Sequence, residues 1–143
     1  MKKVLVYLAA FAAGISLSIE AAIGGALGEK IGELESTYYI FIIGTMATFL
    51  LTLFFGKGDL TQTFKVPKWN LLGGALGVVY LALLVISVTL IGVGVSVTAV
   101  IIGQIIMSII IEHFGLLGTA KKKVNRNTIA AIVLLTASLF LVV

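Results

Sequence analysis

Long apolar runs alternate with short charged segments along the chain. Apart from one carboxylate in the first run, these runs carry no charge, and the third extends from residue 69 to residue 111. A helix needs about 20 apolar residues to cross a hydrocarbon core of about 30 Å, so the third run must turn back once. The glycines of Thr89–Gly94 (TLIGVG) favour a turn there. The pattern therefore predicts five membrane-spanning helices, near residues 4–27, 38–55, 69–88, 93–114 and 127–143.

The composition supports an all-α integral membrane protein with a single transmembrane domain. Of the 143 residues, 60% are hydrophobic and 11% are charged, which is far from the composition of a soluble domain. Sixteen glycines and one proline suit closely packed membrane helices. With no cysteine, one histidine and no cluster of carboxylates, we expect no metal and no other cofactor. No pair of nucleophile and base indicates an enzyme.

The basic residues lie in the connections between the apolar runs and therefore do not indicate nucleic-acid binding. Five crossings would place nine of the ten on the N-terminal side and leave only Lys30 on the other. Because Lys and Arg are retained in the cytoplasm, the N-terminus is predicted to be cytoplasmic and the C-terminus outside. A cleaved secretory signal peptide is the alternative for the first run, but the later apolar runs favour an uncleaved helix.

Glu20 stands inside the first run, in the stretch SLSIEAAIGGAL. An ionised carboxylate is costly in hydrocarbon, and burial favours its neutral form. Such a group can hold a proton when empty and release it to a bound cation, as proton-coupled transport requires. Small residues recur every four positions on its helix face, which predicts that this face packs inward: Ala12, Ser16, Gly24 and Gly28. Alternatively, this face is only a packing surface and Glu20 reaches the membrane interface without a partner.

The fourth predicted helix carries a polar line at every fourth position, formed by Gln104, Ser108 and Glu112. Gln104 lies near mid-membrane and is the best candidate there for a substrate or inter-helix contact. For Gln104 and Ser108 the alternative is a purely structural role in helix packing. Glu112 and His113 lie at the predicted cytoplasmic helix end. There, an anchor or a pair with the lysine cluster is favoured over a proton relay.

The third predicted helix begins with WNLLGGALGVVY. Gly73 and Gly77 form a G-x-x-x-G packing motif, and Tyr80 follows on nearly the same face. The depth of Tyr80 favours a hydroxyl group that has a partner, either in a cavity or in a packed interface.

Three stretches in this order resemble the YdcZ-like inner-membrane exporters of the drug/metabolite transporter superfamily: WNLLGGALGVVY, the pair Gly103–Gln104, and EHFGLLG at 112–118. The resemblance covers nearly the whole chain and implies a five-helix subunit that works as a dimer of oppositely oriented halves. In small multidrug members of that superfamily, a glutamate of the first helix is the shared proton and substrate site. The chain departs from the family pattern at three positions, with Glu20 in place of Gln, Gly24 in place of Asn and Glu112 in place of Asp.

The sequence thus predicts a small secondary transporter subunit in the lipid bilayer of the inner membrane. It would export a small organic metabolite or cation, with Glu20 as the coupling carboxylate. The polar lining would come from Ser16, Tyr80, Gln104 and Ser108. The one-sided charge predicts either an oppositely oriented sibling subunit or a parallel pair of this chain. The alternative function is a non-transporting structural or regulatory subunit that assembles through its glycines.

Overall fold

The computed structural model describes residues 2–121 and 125–142, and this part of the chain is helical with no strand. Three short 3-10 helices lie in the connections, at Leu60–Phe64, Lys68–Leu71 and Leu116–Gly118. The α-helices are α1 (Lys2–Ile31), α2 (Glu33–Phe55), α3 (Leu72–Ile91), α4 (Val93–Phe114) and α5 (Arg126–Val142). This architecture confirms the all-α membrane class.

Helices α1 to α4 are long and apolar enough to cross a membrane. Helix α5 has 17 residues and is shorter than the other four. At 1.5 Å per residue it is about 26 Å long, slightly less than a hydrocarbon core of about 30 Å. A fifth crossing therefore stays a prediction.

The chain divides into two compact units, Met1–Leu90 and Ile91–Val143. The first unit contains α1, α2 and α3, and the second contains α4 and α5. A single transmembrane domain stays a prediction.

A single residue, Gly32, separates α1 from α2. Its φ of +103° is a conformation that side chains with a Cβ rarely adopt, so glycine permits this tight turn. Its N–H donates to the Gly28 carbonyl oxygen at 2.9 Å, and its own carbonyl accepts from the Ser36 N–H at 2.9 Å. The charged connection expected between the first two spans is therefore helical on both sides of Gly32.

The core of the first unit forms where α3 packs against the glycines of α1. Val85 and Val88 are buried, and they would contact a Cβ placed at Gly24, Gly25 or Gly28. Glycine therefore allows the two helices to approach closely without a loss of side-chain packing around them.

The second unit begins beside Gly92, inside the segment where the sequence predicts a turn. Gly92 has a φ of +79° and precedes α4, and its carbonyl oxygen accepts from the Ser96 hydroxyl at 2.7 Å. Helix α4 ends at Phe114 and is capped by Gly115, whose backbone is left-handed and whose N–H donates to the Ile111 carbonyl oxygen. Helix α5 packs against α4.

Candidate functional site

Glu20 lies on α1, in the first unit. Glu20 and Gly44 lie equally far from Gly32 along the two arms of the α1–α2 hairpin, so the turn brings them to the same level. Glu20 is half-buried, and it lines two neighbouring grooves of about 530 Å³ and 450 Å³. Gly44 lines both grooves as well, and no atom of the described chain lies within 4 Å of the position of a Cβ there.

The larger groove, here called the threonine groove, is lined by one carboxylate, three threonines and apolar side chains. The threonines lie on one face of α2, at positions 45, 48 and 52. The apolar walls include Phe41, Phe49, Leu60 and Leu81. The groove thus combines one charge with a mostly apolar surface, as sites for small molecules commonly do.

The smaller groove brings Ser16 and Glu20 together, as their spacing of four residues on α1 predicts. The Ser16 hydroxyl donates to the Ala12 carbonyl oxygen at 3.0 Å, so its proton is occupied within the helix. Its oxygen can still accept a hydrogen bond from a ligand. Isoleucines of both helices complete this groove.

Tyr80 on α3 lies close enough to Glu20 for an electrostatic interaction. Its hydroxyl group is buried and has no hydrogen-bond partner among the described residues. A buried polar atom without a partner is uncommon and calls for a physical reason. Tyr80 lines neither groove, so the structure does not bring this predicted lining residue into the site around Glu20.

The other polar candidates belong to the second unit. Gln104 and Ser108 are exposed on α4, and Glu112 and His113 lie in its last turn. The His113 ring packs edge-on against Phe114 at 5.1 Å between centroids. Much of the lysine cluster that the sequence pairs with Glu112 lies outside the described residues, namely positions 122–124 and the side chain of 126.

The four predicted packing glycines differ in their surroundings. A Cβ at Gly24 would lie 3.1 Å from Val85, and one at Gly28 would lie at the same distance from that side chain. A Cβ at Gly77 would lie 3.6 Å from Phe41, whereas one at Gly73 would meet no atom of the described chain within 4 Å. Both glycines of α1 thus pack within the chain.

Sequence reasoning missed three features of this region: Gly25 against Val88, the Ser36 hydroxyl bonded to α1, and the threonine row of α2. The threonines at positions 45, 48 and 52 follow the spacing of one helix face and could have been noticed. Within the described chain, no group of three or more His, Cys, Asp and Glu residues could hold a metal ion.

A family described as "Putative inner membrane exporter, YdcZ" matches residues 5–141, which covers nearly the whole chain. No curated protein and no solved structure matches the chain significantly.

Proposed function

The chain belongs to the YdcZ family of inner-membrane exporters, and from this premise we propose that it is a proton-coupled transporter subunit with Glu20 as the coupling carboxylate. The match confirms the resemblance seen in the sequence motifs. Together with the four long apolar helices, it supports a multi-pass protein of the inner membrane. It also indicates a transporter rather than an enzyme.

The position of Glu20 is the observation that supports this proposal most. A carboxylate on a membrane helix is costly when it faces lipid, and such residues usually face a cavity or another polar group. Glu20 lines two grooves beside the α1–α2 hairpin and interacts electrostatically with Tyr80 of α3. A carboxylate in this setting can be reached by a ligand while most of the surrounding surface is apolar.

The proposed coupling follows from competition for one carboxylate. The Glu20 carboxylate can hold a proton or a bound cation, but not both at once. A bound cation favours the ionised form, so cation binding releases the proton and proton binding releases the cation. If the subunit opens to one side of the membrane at a time, this exchange couples export to the proton gradient.

The proposal also includes a dimer and a contribution of α4 to the substrate site. Gln104 and Ser108 would supply polar groups to the substrate, and the exposed faces of the helices would meet lipid or a second subunit. Since nine of ten basic residues fall on one predicted side, an antiparallel dimer would need a sibling chain of opposite orientation. Otherwise this chain pairs in parallel with itself.

The decisive test replaces Glu20 with Gln, which keeps the size of the side chain and removes its charge. Purified protein, with any sibling chain that co-purifies, is reconstituted into liposomes, and proton movement is measured against a panel of organic cations and metabolites. We expect Glu20→Gln to fold normally and to lose substrate-dependent proton movement. The control is Glu29→Gln, because Glu29 is an exposed carboxylate on the same helix and lines neither groove. Normal coupled flux in Glu20→Gln would refute the proposal.

The same assay addresses the structural or regulatory alternative, which expects no substrate-dependent proton movement in any preparation. The packing of α1 gives that alternative little support. Gly24 and Gly28 are both buried within the first unit, against side chains of the same chain. These two glycines are therefore not available as a surface for assembly with another protein, whereas Gly73 on α3 remains open.

A further inference from the structure

We propose that the threonine groove selects ammonium ions that keep N–H donors and carry an apolar body. The inference deepens the proposed function, on which it rests, by assigning a substrate class and three specificity-determining residues: Thr45, Thr48 and Thr52. The groove lies entirely within the first unit. Its volume of about 530 Å³ falls in the range of small-molecule sites.

The hydrogen bonds of the threonines define what a ligand would find in the groove. The Thr48 hydroxyl donates to the Gly44 carbonyl oxygen at 2.7 Å. The Thr52 hydroxyl donates to the Thr48 carbonyl oxygen at 2.8 Å. Each hydroxyl has one proton and two lone pairs, so both groups have used their proton and can only accept. A ligand must therefore bring the donors.

The charge and the walls of the groove restrict the ligand further. Glu20 supplies the negative charge, which favours a cation. Phe41, Phe49 and Leu81 supply apolar surface, which favours an aliphatic or aromatic body. An ammonium ion with N–H donors on an apolar body satisfies the carboxylate, the acceptor oxygens and the walls together. A quaternary ammonium ion would match the charge and the walls, but it would leave the oxygens without donors.

The threonines form a row that leads toward Glu20. From Thr45 to Thr52 the helix advances about 10 Å, and Leu60 in the following 3-10 helix lines the same groove. Gly44, next to Thr45, lies at the level of Glu20. An ammonium ion that enters near Leu60 would pass from one acceptor oxygen to the next before it reaches the carboxylate.

The test compares phenylbutylammonium with phenylbutyltrimethylammonium, which share a body and a charge and differ in their N–H donors. Binding to the purified full-length chain in detergent micelles is measured by titration calorimetry. Thr48→Val keeps the shape of the side chain and removes the acceptor oxygen. We expect it to weaken binding of the primary ammonium ion roughly 10-fold, the usual effect of losing a hydrogen bond to a charged group. Binding of the quaternary ion should stay within about 2-fold of the wild type.

The matched control is Thr98→Val in α4. The Thr98 hydroxyl makes the same kind of bond, to the Gly94 carbonyl oxygen at 2.8 Å, but Thr98 does not line the groove. Thr98→Val should therefore change the affinity for neither ion. A second variant, Thr48→Ser, retains the hydroxyl group and should retain the preference for the primary ion. Comparing it with Thr48→Val separates the loss of the oxygen atom from a folding defect of Thr48→Val.

Three results would overturn the inference: an equal loss of affinity for both ions in Thr48→Val protein that keeps its helical circular dichroism, no loss for either ion, or no binding of the primary ion to the wild-type chain. None of these would by itself refute the proposed function, which is tested by the loss of coupled flux in Glu20→Gln. Conversely, if Glu20→Gln transports normally while Thr48→Val shows the expected selectivity, the groove is a binding site without a coupling role.

Discussion

At Gly25, α1 approaches α3 so closely that no side chain fits between them. A Cβ at this position would overlap the Val88 side chain, which is itself buried. At Gly24 the nearest atoms to such a Cβ lie at 3.0 and 3.1 Å, which is tight but less severe. Gly25 is therefore the glycine of α1 on which helix packing depends most.

Gly25→Ala is expected to destabilise the protein by about 1–3 kcal/mol, because overpacking forces Val88 or the two helices apart. The cost of overpacking should exceed the stabilisation of about 1 kcal/mol that alanine brings over glycine through its higher helix propensity. The free energy of unfolding can be measured by denaturant titration in mixed micelles. Gly14→Ala is the control, since a Cβ there meets no atom of the described chain within 4 Å and should not destabilise. Equal stability of the two variants would contradict the packing argument.

The sequence predicts Glu20, Gly24 and Gly28 as one face because helical periodicity depends only on spacing. It does not show that Gly25 makes the tightest contact with α3, because the approach of a third helix is set by tertiary structure. The same limit applies to the threonine row. Its helical spacing is visible in the sequence, but only the structure shows that the three threonines line a groove. Periodicity identifies which residues share a helix face, whereas the fold determines what that face packs against.

The α1–α2 hairpin is joined by one buried hydrogen bond outside the turn. The Ser36 hydroxyl of α2 donates to the Gly24 carbonyl oxygen of α1 at 2.7 Å, and Ser36 is fully buried. Such bonds between membrane helices contribute about 1 kcal/mol on average. The bond fixes the register of the two helices on which Glu20 and Gly44 lie.

Ser36→Ala is therefore expected to lower the free energy of unfolding by about 1 kcal/mol, measured in the same titration. Ser18→Ala is the control, because the Ser18 hydroxyl bonds only to the Gly14 carbonyl oxygen of its own helix. That substitution should have a smaller effect. If the free energy of unfolding falls equally in both variants, the hydrogen bond between the helices contributes no more than the bond within α1.

The connection between α2 and α3 contains a pH-sensitive cap. The Asp59 carboxylate accepts hydrogen bonds from the Thr61 hydroxyl at 2.6 Å, from the Thr61 N–H at 2.9 Å and from the Gln62 amide at 3.1 Å. These bonds favour the ionised form and lower the pKa of Asp59 below its usual value of 3.8. A lowered pKa means that the stabilisation is present above the usual value and is lost as the pH falls through the folded-state pKa.

Acidification should therefore open this cap. In an NMR titration, the Thr61 amide signal is expected to shift with a midpoint below pH 3.8, toward the position it has in Asp59→Asn. A midpoint at or above the usual value would show that the hydrogen bonds do not favour the ionised carboxylate.

Apolar length predicts the helices better than it predicts their ends. The run at 93–114 coincides with α4, whereas the run at 38–55 ends with α2 at Phe55 but begins five residues after its first residue, Glu33. Helix α1 extends beyond the apolar run to Ile31, because Gly32 makes the turn alone and the charged residues beside it remain helical. Hydropathy shows where a chain can be buried in lipid, whereas backbone conformation decides where a helix stops.

Across the whole molecule, the distribution of basic residues predicts a fixed orientation. Nine of ten would lie on the cytoplasmic side if the chain crosses the membrane five times. The count is the same with four crossings, because no basic residue follows Arg126. Helix α5 decides only on which side the C-terminus lies, and its length of about 26 Å spans the hydrocarbon core only if the bilayer thins or flanking residues reach toward the interface. The distribution of charge therefore predicts the orientation of the chain, whereas the length of α5 bears on whether its last helix crosses the membrane.

The absence of cysteine from the sequence allows both the orientation and the crossing by α5 to be tested with single introduced cysteines. In intact spheroplasts, a membrane-impermeant maleimide should label Lys30→Cys and a cysteine added after Val143, and it should label Lys57→Cys and Lys121→Cys only after lysis. A protected C-terminal cysteine, with the other three as expected, would show that α5 does not cross. Labelling of all four positions in intact cells would show two orientations, as in a dual-topology dimer. The fixed orientation would then be wrong, and the oppositely oriented partner would be this chain itself rather than a sibling.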